Sequence, residues 1–173
     1  MKILITGLLL LMLAGCKSTS NLKVVSGFDA GRYMGVWYEA ARYPHRFEKG
    51  MSAVSATYSL NDDGTIKVLN RGYVDNKPDW EEIEGVAKLK GAADEGWLKV
   101  SFFKPFYASY KIIYLDEAYT SAIIAGPSYR YLWILTRDPG LPEAQLKQLI
   151  SKACGFGYDE EKIIIVDQKR NQS

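Results

Sequence analysis

Short apolar and aromatic runs, separated by turn residues, recur from residue 35 onward and constrain the fold more than any other feature of this chain. Their spacing of roughly 8–12 residues is typical of an all-β sandwich or barrel. The clearest run, residues 53–60, alternates larger apolar side chains with serine and threonine, as a half-buried strand does. Eight runs are predicted as strands: residues 35–42, 53–60, 65–74, 80–90, 97–103, 107–115, 119–125 and 129–137.

A single helix is predicted after the eighth strand. Pro142 suits a first helical turn, and the apolar residues that follow it share one helical face; they are Leu146, Leu149, Ile150 and Ala153. Residues 162–167 are predicted as a last short strand. We therefore predict an all-β fold, an eight-stranded up-and-down antiparallel barrel with one C-terminal α-helix packed outside it and a short ninth strand. A barrel of eight strands has room for one small ligand.

The first 15 residues have the form of a secretory signal. Lys2 precedes an apolar run of about 11 residues, which is short of the roughly 20 that a membrane-spanning helix needs. Residues 13–16, Leu-Ala-Gly-Cys, resemble the bacterial lipobox, which implies cleavage before Cys16 and acylation of that cysteine, for example with palmitate. The alternative is an ordinary signal peptide in which the cysteine occurs by chance. We predict a signal at 1–15, a lipidated tether at 16–26 and one domain at 27–173.

The composition excludes several classes of site. Lysine and arginine number 22 against 20 aspartates and glutamates, so charge gives no indication of a nucleic-acid partner. With Cys16 acylated, Cys154 is the only free thiol and no internal disulfide can form. His45 is the only histidine, no histidine and cysteine cluster is present, and no phosphate-binding or dinucleotide motif occurs. We predict neither a metal site nor a cofactor.

Two short motifs carry a resemblance to a known family. The sequence Gly35-Val36-Trp37 on the first strand resembles the G-x-W signature of lipocalins, and residues 136–137, Thr-Arg, resemble that family's third conserved region. The second region is matched only weakly, by residues 115–117. Lipocalins stack the arginine of the third region on this tryptophan. The resemblance therefore implies that Gly35, Trp37 and Arg137 are structural residues at the closed end of the barrel.

Alternation predicts the inner wall, because the outer surface of the barrel meets water. The inward-facing set is Val54, Ala56, Tyr58, Ile66, Val68, Val100, Phe102, Tyr110, Ile112, Tyr131 and Trp133. In the sixth strand Ile113 competes with Ile112 and Tyr114 for the inward position, and the pattern leaves both assignments open. Small residues on this wall, namely Ala56, Gly72 and Gly85, indicate that space is left for a ligand.

The family resemblance extends to the bacterial outer-membrane lipoprotein members and implies a function. We expect no enzyme but a protein that stores or transports fatty acids or lysophospholipids, with Arg46 and Phe47 at the mouth of the barrel. Lys17 follows Cys16 where an aspartate would resemble an inner-membrane retention signal, which points to the periplasmic face of the outer membrane. A homodimer is implied as well. The alternatives are an esterase-like enzyme on the same barrel, or a structural lipoprotein whose barrel is filled.

Overall fold

The computed structural model describes residues 17–172. Eight antiparallel strands close into a barrel, and the predicted fold is confirmed. Each strand pairs with the next in sequence, and β1 also pairs with β8, which closes the sheet. The strands are β1 (Gly35–Arg42), β2 (Met51–Leu60), β3 (Ile66–Val74), β4 (Asp79–Leu89), β5 (Trp97–Phe103), β6 (Phe106–Leu115), β7 (Ser121–Ala125) and β8 (Leu132–Thr136).

Within the described residues two α-helices accompany the barrel, and one of them was not predicted. The short α1 (Ala30–Tyr33) precedes β1, and the Asp29 carboxylate caps it by accepting from two of its backbone N–H groups. The predicted helix, α2 (Glu143–Gly155), lies outside the barrel and buries its apolar face against the outer sides of β1, β7 and β8. The last strand, β9 (Ile164–Ile165), is shorter than predicted and pairs with β1. In the part of the chain described, no helix is both long and apolar enough to cross a bilayer.

The barrel has a closed end and an open end. The closed end carries α1, which leads directly into the start of β1. Because neighbouring strands alternate in direction, the loops after β1, β3, β5 and β7 all lie at the opposite, open end. This geometry decides which residues can meet a ligand entering from outside.

The register shifts in four strand pairs, and the shifts in β1 and β6 change which residues face the interior. In β1 the register shifts between Glu39 and Ala41, so that Ala40 and Ala41 both pack under α2. A regular strand would turn Arg42 to the face opposite Glu39, but the extra residue brings both side chains inward. In β6 the register shifts between Ile112 and Tyr114, so that Ile113 and Tyr114 both face outward, while Ile112 and Leu115 face the interior. Of the alternatives that the sequence left open, the structure keeps Ile112 inside but turns Tyr114 outward.

Residues 17–26, predicted as a tether, lie against the barrel with fixed contacts. The backbone N–H of Val25 donates to the carbonyl of Ile112 at 2.9 Å, near the closed end. Further along, the buried Thr19 hydroxyl donates to the Gly126 carbonyl at 2.6 Å. The Lys17 carbonyl accepts from the Tyr129 N–H at 3.0 Å in the loop after β7. The segment therefore runs from the closed end to the open end.

The C-terminal segment fills a seam between β1 and β2. These strands pair from Gly35 to Tyr38 only, and toward the open end they diverge. There the buried Gln168 amide donates to the carbonyls of Glu39 and Val54, both at 2.8 Å. One side chain thus bridges the two strands where their own hydrogen bonds end.

Candidate functional site: the interior of the barrel

The closed end is sealed by Trp37 and Arg137. The Trp37 indole is fully buried and donates to the Tyr33 carbonyl at 2.8 Å. The Arg137 guanidinium lies 4.0 Å from the centre of the indole ring. It also donates to backbone carbonyls around the start of β1, with the shortest bonds, 2.7 Å each, to Val36 and Met34. Trp37 and Arg137, which together form the plug of the closed end, are held by charge-assisted hydrogen bonds as well as by the cation–π contact.

A hydrogen-bonded chain of tyrosines forms the layer above this plug. The Tyr110 hydroxyl lies 2.7 Å from that of Tyr33 and 3.0 Å from that of Tyr58. Burial raises the pKa of Tyr58 to about 12 and also raises the pKa values of the other two. The three phenols are therefore neutral at physiological pH and satisfy one another inside the barrel.

Most of the predicted lining residues face inward in the structure. Register supports this, because Ala56 lies directly opposite Trp37, and Val100 lies opposite the buried Ala87. The residues that contribute to the inner apolar cluster are Ala56, Tyr58, Ile66, Val68, Val100, Phe102, Tyr110, Ile112 and Trp133. Val54 lies beside Gly72, and Tyr131 stacks on Trp133 with ring centres 6.0 Å apart.

The inner wall remains accessible above the tyrosine layer. Ile66 and Ile112, near the closed end, are fully buried, whereas Ala56 and Val100 retain partial exposure. Ile83 belongs to the inner face by register with β3, yet 39% of it is exposed. Inward-facing apolar side chains can keep such exposure only if the upper barrel is open. The interior is a cup, filled at its closed end.

A buried charged cluster, which the sequence did not predict, lies on the wall of this cup. Arg42 Nη1 lies 2.6 Å from Glu39 Oε1, and both side chains are almost fully buried. Arg42 also donates to the Glu48 and Met51 carbonyls, at 2.8 and 3.1 Å. The loop after β1 folds back over this site and brings His45 Nε2 within 3.0 Å of Glu48 Oε2. The Trp133 indole N–H donates to the same carboxylate at 3.4 Å.

The pKa values of the two carboxyl groups in this cluster are shifted in opposite directions. Burial, together with the charge of Glu48, raises the pKa of Glu39 well above its usual range. Burial opposes ionisation of Glu48 too, but the contact with His45 outweighs it and lowers the pKa of Glu48. When Glu39 is protonated, the carboxylate of Glu48 balances the charge of Arg42. The cluster is then close to neutral, and the Arg42 guanidinium is already hydrogen-bonded within it.

Asn70 adds a second polar group to the inner face. Its neighbours by register are Ala56 on β2 and Ile83 on β4. The buried Oδ1 has no hydrogen-bond partner among the described residues. An unsatisfied amide inside a cup can bond a ligand hydroxyl or amine, and leaving it unpaired costs about 1–3 kcal/mol. Alternation with Ile66 and Val68 places Asn70 on the inner face, but a pattern of apolar residues does not include it.

Comparison with known proteins identifies the family. The model of the lipocalin-like domain matches residues 28–168. The chain belongs to the lipocalin family. It is 44% identical over 160 residues to the outer membrane lipoprotein Blc of Escherichia coli K12, covering 91% of this chain and 90% of that protein. It is 42% identical to temperature-induced lipocalin-1 of Arabidopsis thaliana, covering 83% and 81%.

Solved structures with low sequence identity share the fold. The cockroach allergen Per a 4 superposes with a TM-score of 0.68 at 18% identity, covering 87% of this chain and 94% of that one. Insecticyanin from the tobacco hornworm Manduca sexta also gives a TM-score of 0.68, at 20% identity, with 84% of each chain covered. At such identities the likeness concerns the lipocalin barrel alone.

One detail of the cup differs from the prediction. A Cβ at Gly85 would lie 2.7 Å from the Phe102 ring, so the space above this glycine is occupied by Phe102 and is not available to a ligand. Arg46 and Phe47, predicted at the mouth, lie in the loop after β1 at the open end, with the Arg46 guanidinium 4.9 Å from the centre of the exposed Phe47 ring. Cys16 lies outside the described residues, and Cys154 is half-buried at the end of α2.

Proposed function

We propose that this lipocalin holds a single-chain lipid, a lysophospholipid or a fatty acid, with the acyl chain inside the cup and the polar head toward the open end. The observation that carries the proposal is the accessible apolar wall above a sealed floor. Each methylene buried there contributes about 0.8 kcal/mol, so a dozen methylenes would support useful affinity after ordering costs.

The charged cluster of the cup favours a lysophospholipid over a fatty acid. Arg42 is already bonded to Glu39 and to two carbonyls, so it offers no free charge to a fatty-acid carboxylate. Asn70, with its unpaired Oδ1, lies beside Ala56 at the level of the acyl chain, so it does not distinguish the two headgroups.

The proposed location is the periplasmic face of the outer membrane, to which the acyl groups on Cys16 would attach the protein. The lipobox-like residues 13–16 and the similarity to Blc, which is named as an outer membrane lipoprotein, support this. Cys16→Ser should abolish incorporation of labelled palmitate, because a hydroxyl cannot replace the thiol in the acylation step. Incorporation that persists in this variant would remove the anchor from the proposal. A homodimer also stays a prediction, which light scattering on purified protein would test.

Filling the cup tests the binding proposal. Ala56→Trp places an indole where the acyl chain would lie, and Ser59→Trp on the exposed outer face of the same strand is the matched control. We expect both variants to fold, with the affinity for a fluorescent lysophospholipid reduced at least tenfold in Ala56→Trp alone, because several methylenes are excluded.

Two other outcomes would contradict the proposal. Loss of folding in Ala56→Trp would indicate a solid barrel and a structural role, because packed cores reject added volume. Normal folding and normal binding would place the ligand outside the cup.

The enzymatic alternative requires a nucleophile activated by His45. The described contacts of His45 are the Glu48 carboxylate and the rings of Phe47, Tyr131 and Trp133, and they include no serine hydroxyl or thiol. We therefore expect no hydrolysis of a chromogenic ester above the rate of a His45→Gln variant. Turnover that depends on His45 would instead support the esterase.

A further inference from the structure

Exposed aromatic side chains cluster at the tips of two loops. In the hairpin between β5 and β6, Phe103 is 66% exposed and Phe106 is 77% exposed, and these two residues pair across the turn. Phe47, in the loop after β1, is 58% exposed. Both loops lie at the open end by the alternation of strand directions. Three phenylalanines in water at one rim are unfavourable for a free surface and typical of a surface that contacts an apolar partner.

The N-terminal segment ends at the same rim. Its carbonyl at Lys17 accepts from Tyr129 at 3.0 Å, and Ser18 forms a β-bridge with Ser128, both in the loop between β7 and β8. Cys16 is bonded to Lys17, and consecutive Cα atoms are about 3.8 Å apart. An anchor on Cys16 therefore leaves the protein beside the mouth, with almost no free chain between the membrane and the barrel.

Basic side chains neighbour these phenylalanines in sequence. Arg46 and Lys49 flank Phe47, and Lys104 follows Phe103. Lys17, Lys77 and Arg130 lie in other segments of the open end, where Asp75, Asp79 and residues 159–161 are exposed acidic groups. Phenylalanines flanked by lysine and arginine suit the boundary between acyl chains and anionic headgroups.

We propose that the open end of the barrel rests on the bilayer that holds the Cys16 anchor, with Phe103, Phe106 and Phe47 inserted among anionic phospholipid headgroups. The mouth of the cup then opens against the lipid surface, and a single-chain lipid can pass between bilayer and cup without crossing water. The inference rests on the proposed acylation of Cys16 and deepens the proposed function, since it names the surface from which the ligand comes.

Fluorescence quenching in vesicles tests this orientation. The full-length protein, anchored in vesicles of brominated phosphatidylcholine and phosphatidylglycerol, is compared as Phe106→Trp and as Leu60→Trp. Leu60 is a matched control, because it is 53% exposed at the opposite end of the barrel, beside the loop between β2 and β3. We expect the emission added by Phe106→Trp to be blue-shifted and quenched by bromine, and the emission added by Leu60→Trp to be unaffected. An unquenched Phe106→Trp, or equal quenching of both, overturns the proposal.

A second pair of variants separates this orientation from ligand binding. Phe103→Ser/Phe106→Ser should slow the transfer of a fluorescent lysophospholipid from vesicles to the anchored protein while leaving its affinity in solution unchanged. Ala56→Trp should lose that affinity in solution. When Ala56→Trp is combined with the reporter Phe106→Trp in the anchored protein, the reporter's emission should still be quenched by bromine. Unchanged transfer in the serine variant contradicts the docking. Unchanged affinity in Ala56→Trp contradicts the proposed binding site, whatever the quenching shows.

Discussion

Arg42 and Glu39 lie three positions apart on one strand, yet their side chains meet inside the barrel at 2.6 Å. The bulge between them makes this possible, since it places Ala40 and Ala41 together on the outer face. The pair thereby brings charge into a wall that is otherwise largely apolar. Three of the predictions below follow from the buried ionisable groups of this wall.

Removing the cation should be strongly destabilising. Arg42→Met leaves the buried carboxyl groups of Glu39 and Glu48 without their shared partner, and such a loss costs about 3–5 kcal/mol. Lys67→Met is the control, because its ion pair with Glu84 is exposed and should contribute less than about 1 kcal/mol. Urea denaturation at neutral pH measures both. Equal losses would mean that burial does not strengthen the dependence on Arg42.

Protonation of Glu39 should make stability fall as pH rises. Burial and then the charge of Glu48 raise the pKa of Glu39. From the ordinary glutamate pKa of about 4.3 up to the raised value, the folded chain binds more protons than the unfolded chain, so this group lowers the free energy of unfolding with increasing pH. In Glu39→Gln the decline should be reduced. Urea denaturation at several pH values would show it, and a variant with the wild-type slope would refute the assignment.

The tyrosine chain should limit stability in alkali. The pKa of Tyr58 is raised to about 12 by burial, so its contribution is fully present below pH 10 and is lost as pH rises toward 12. We expect cooperative unfolding there, with phenolate absorbance and loss of tertiary circular dichroism appearing together. Tyr58→Phe should reduce the pH dependence, whereas Tyr107→Phe in the exposed hairpin should not. Phenolate absorbance that develops in a folded protein would contradict the burial argument.

Substitution of Gly35 should lower the stability of the protein more than substitution of another glycine with a similar backbone conformation. Its φ is +95°, and a Cβ would lie 3.2 Å from Arg137 Nη1. Gly64 has φ +77° with open space around it, so Gly64→Ala carries only the backbone cost of about 1–2 kcal/mol. Gly35→Ala adds displacement of the arginine that covers Trp37. Thermal denaturation should show a larger loss for Gly35→Ala, and equal losses would mean that Arg137 moves freely.

Sequence alternation predicted the barrel and most of its inner wall because strands such as β2 and β3 keep period two across the residues that face inward. It failed where a strand changes phase. Nothing local in Ala40 and Ala41 distinguishes a bulge from a regular strand, so Arg42 was not placed beside Glu39. The bulge depends on packing under α2, which is more than one hundred residues away in sequence.

The contacts of the N-terminal segment could not be predicted from the sequence for a related reason. Its composition is polar, which predicted a tether, but its contacts with Ile112 and Gly126 use backbone groups and the Thr19 hydroxyl. Such bonds leave no hydrophobic pattern in the sequence. The same limit applies to His45, whose place above Glu48 depends on how the loop after β1 folds back.

The bridge made by Gln168 has a consequence for the order in which the barrel can assemble. The two bonds that join β1 and β2 at the open end come from a residue that follows all eight barrel strands in sequence. Neighbouring strands can therefore pair before this bridge exists, but the β1–β2 seam gains these bonds only when the segment after α2 docks.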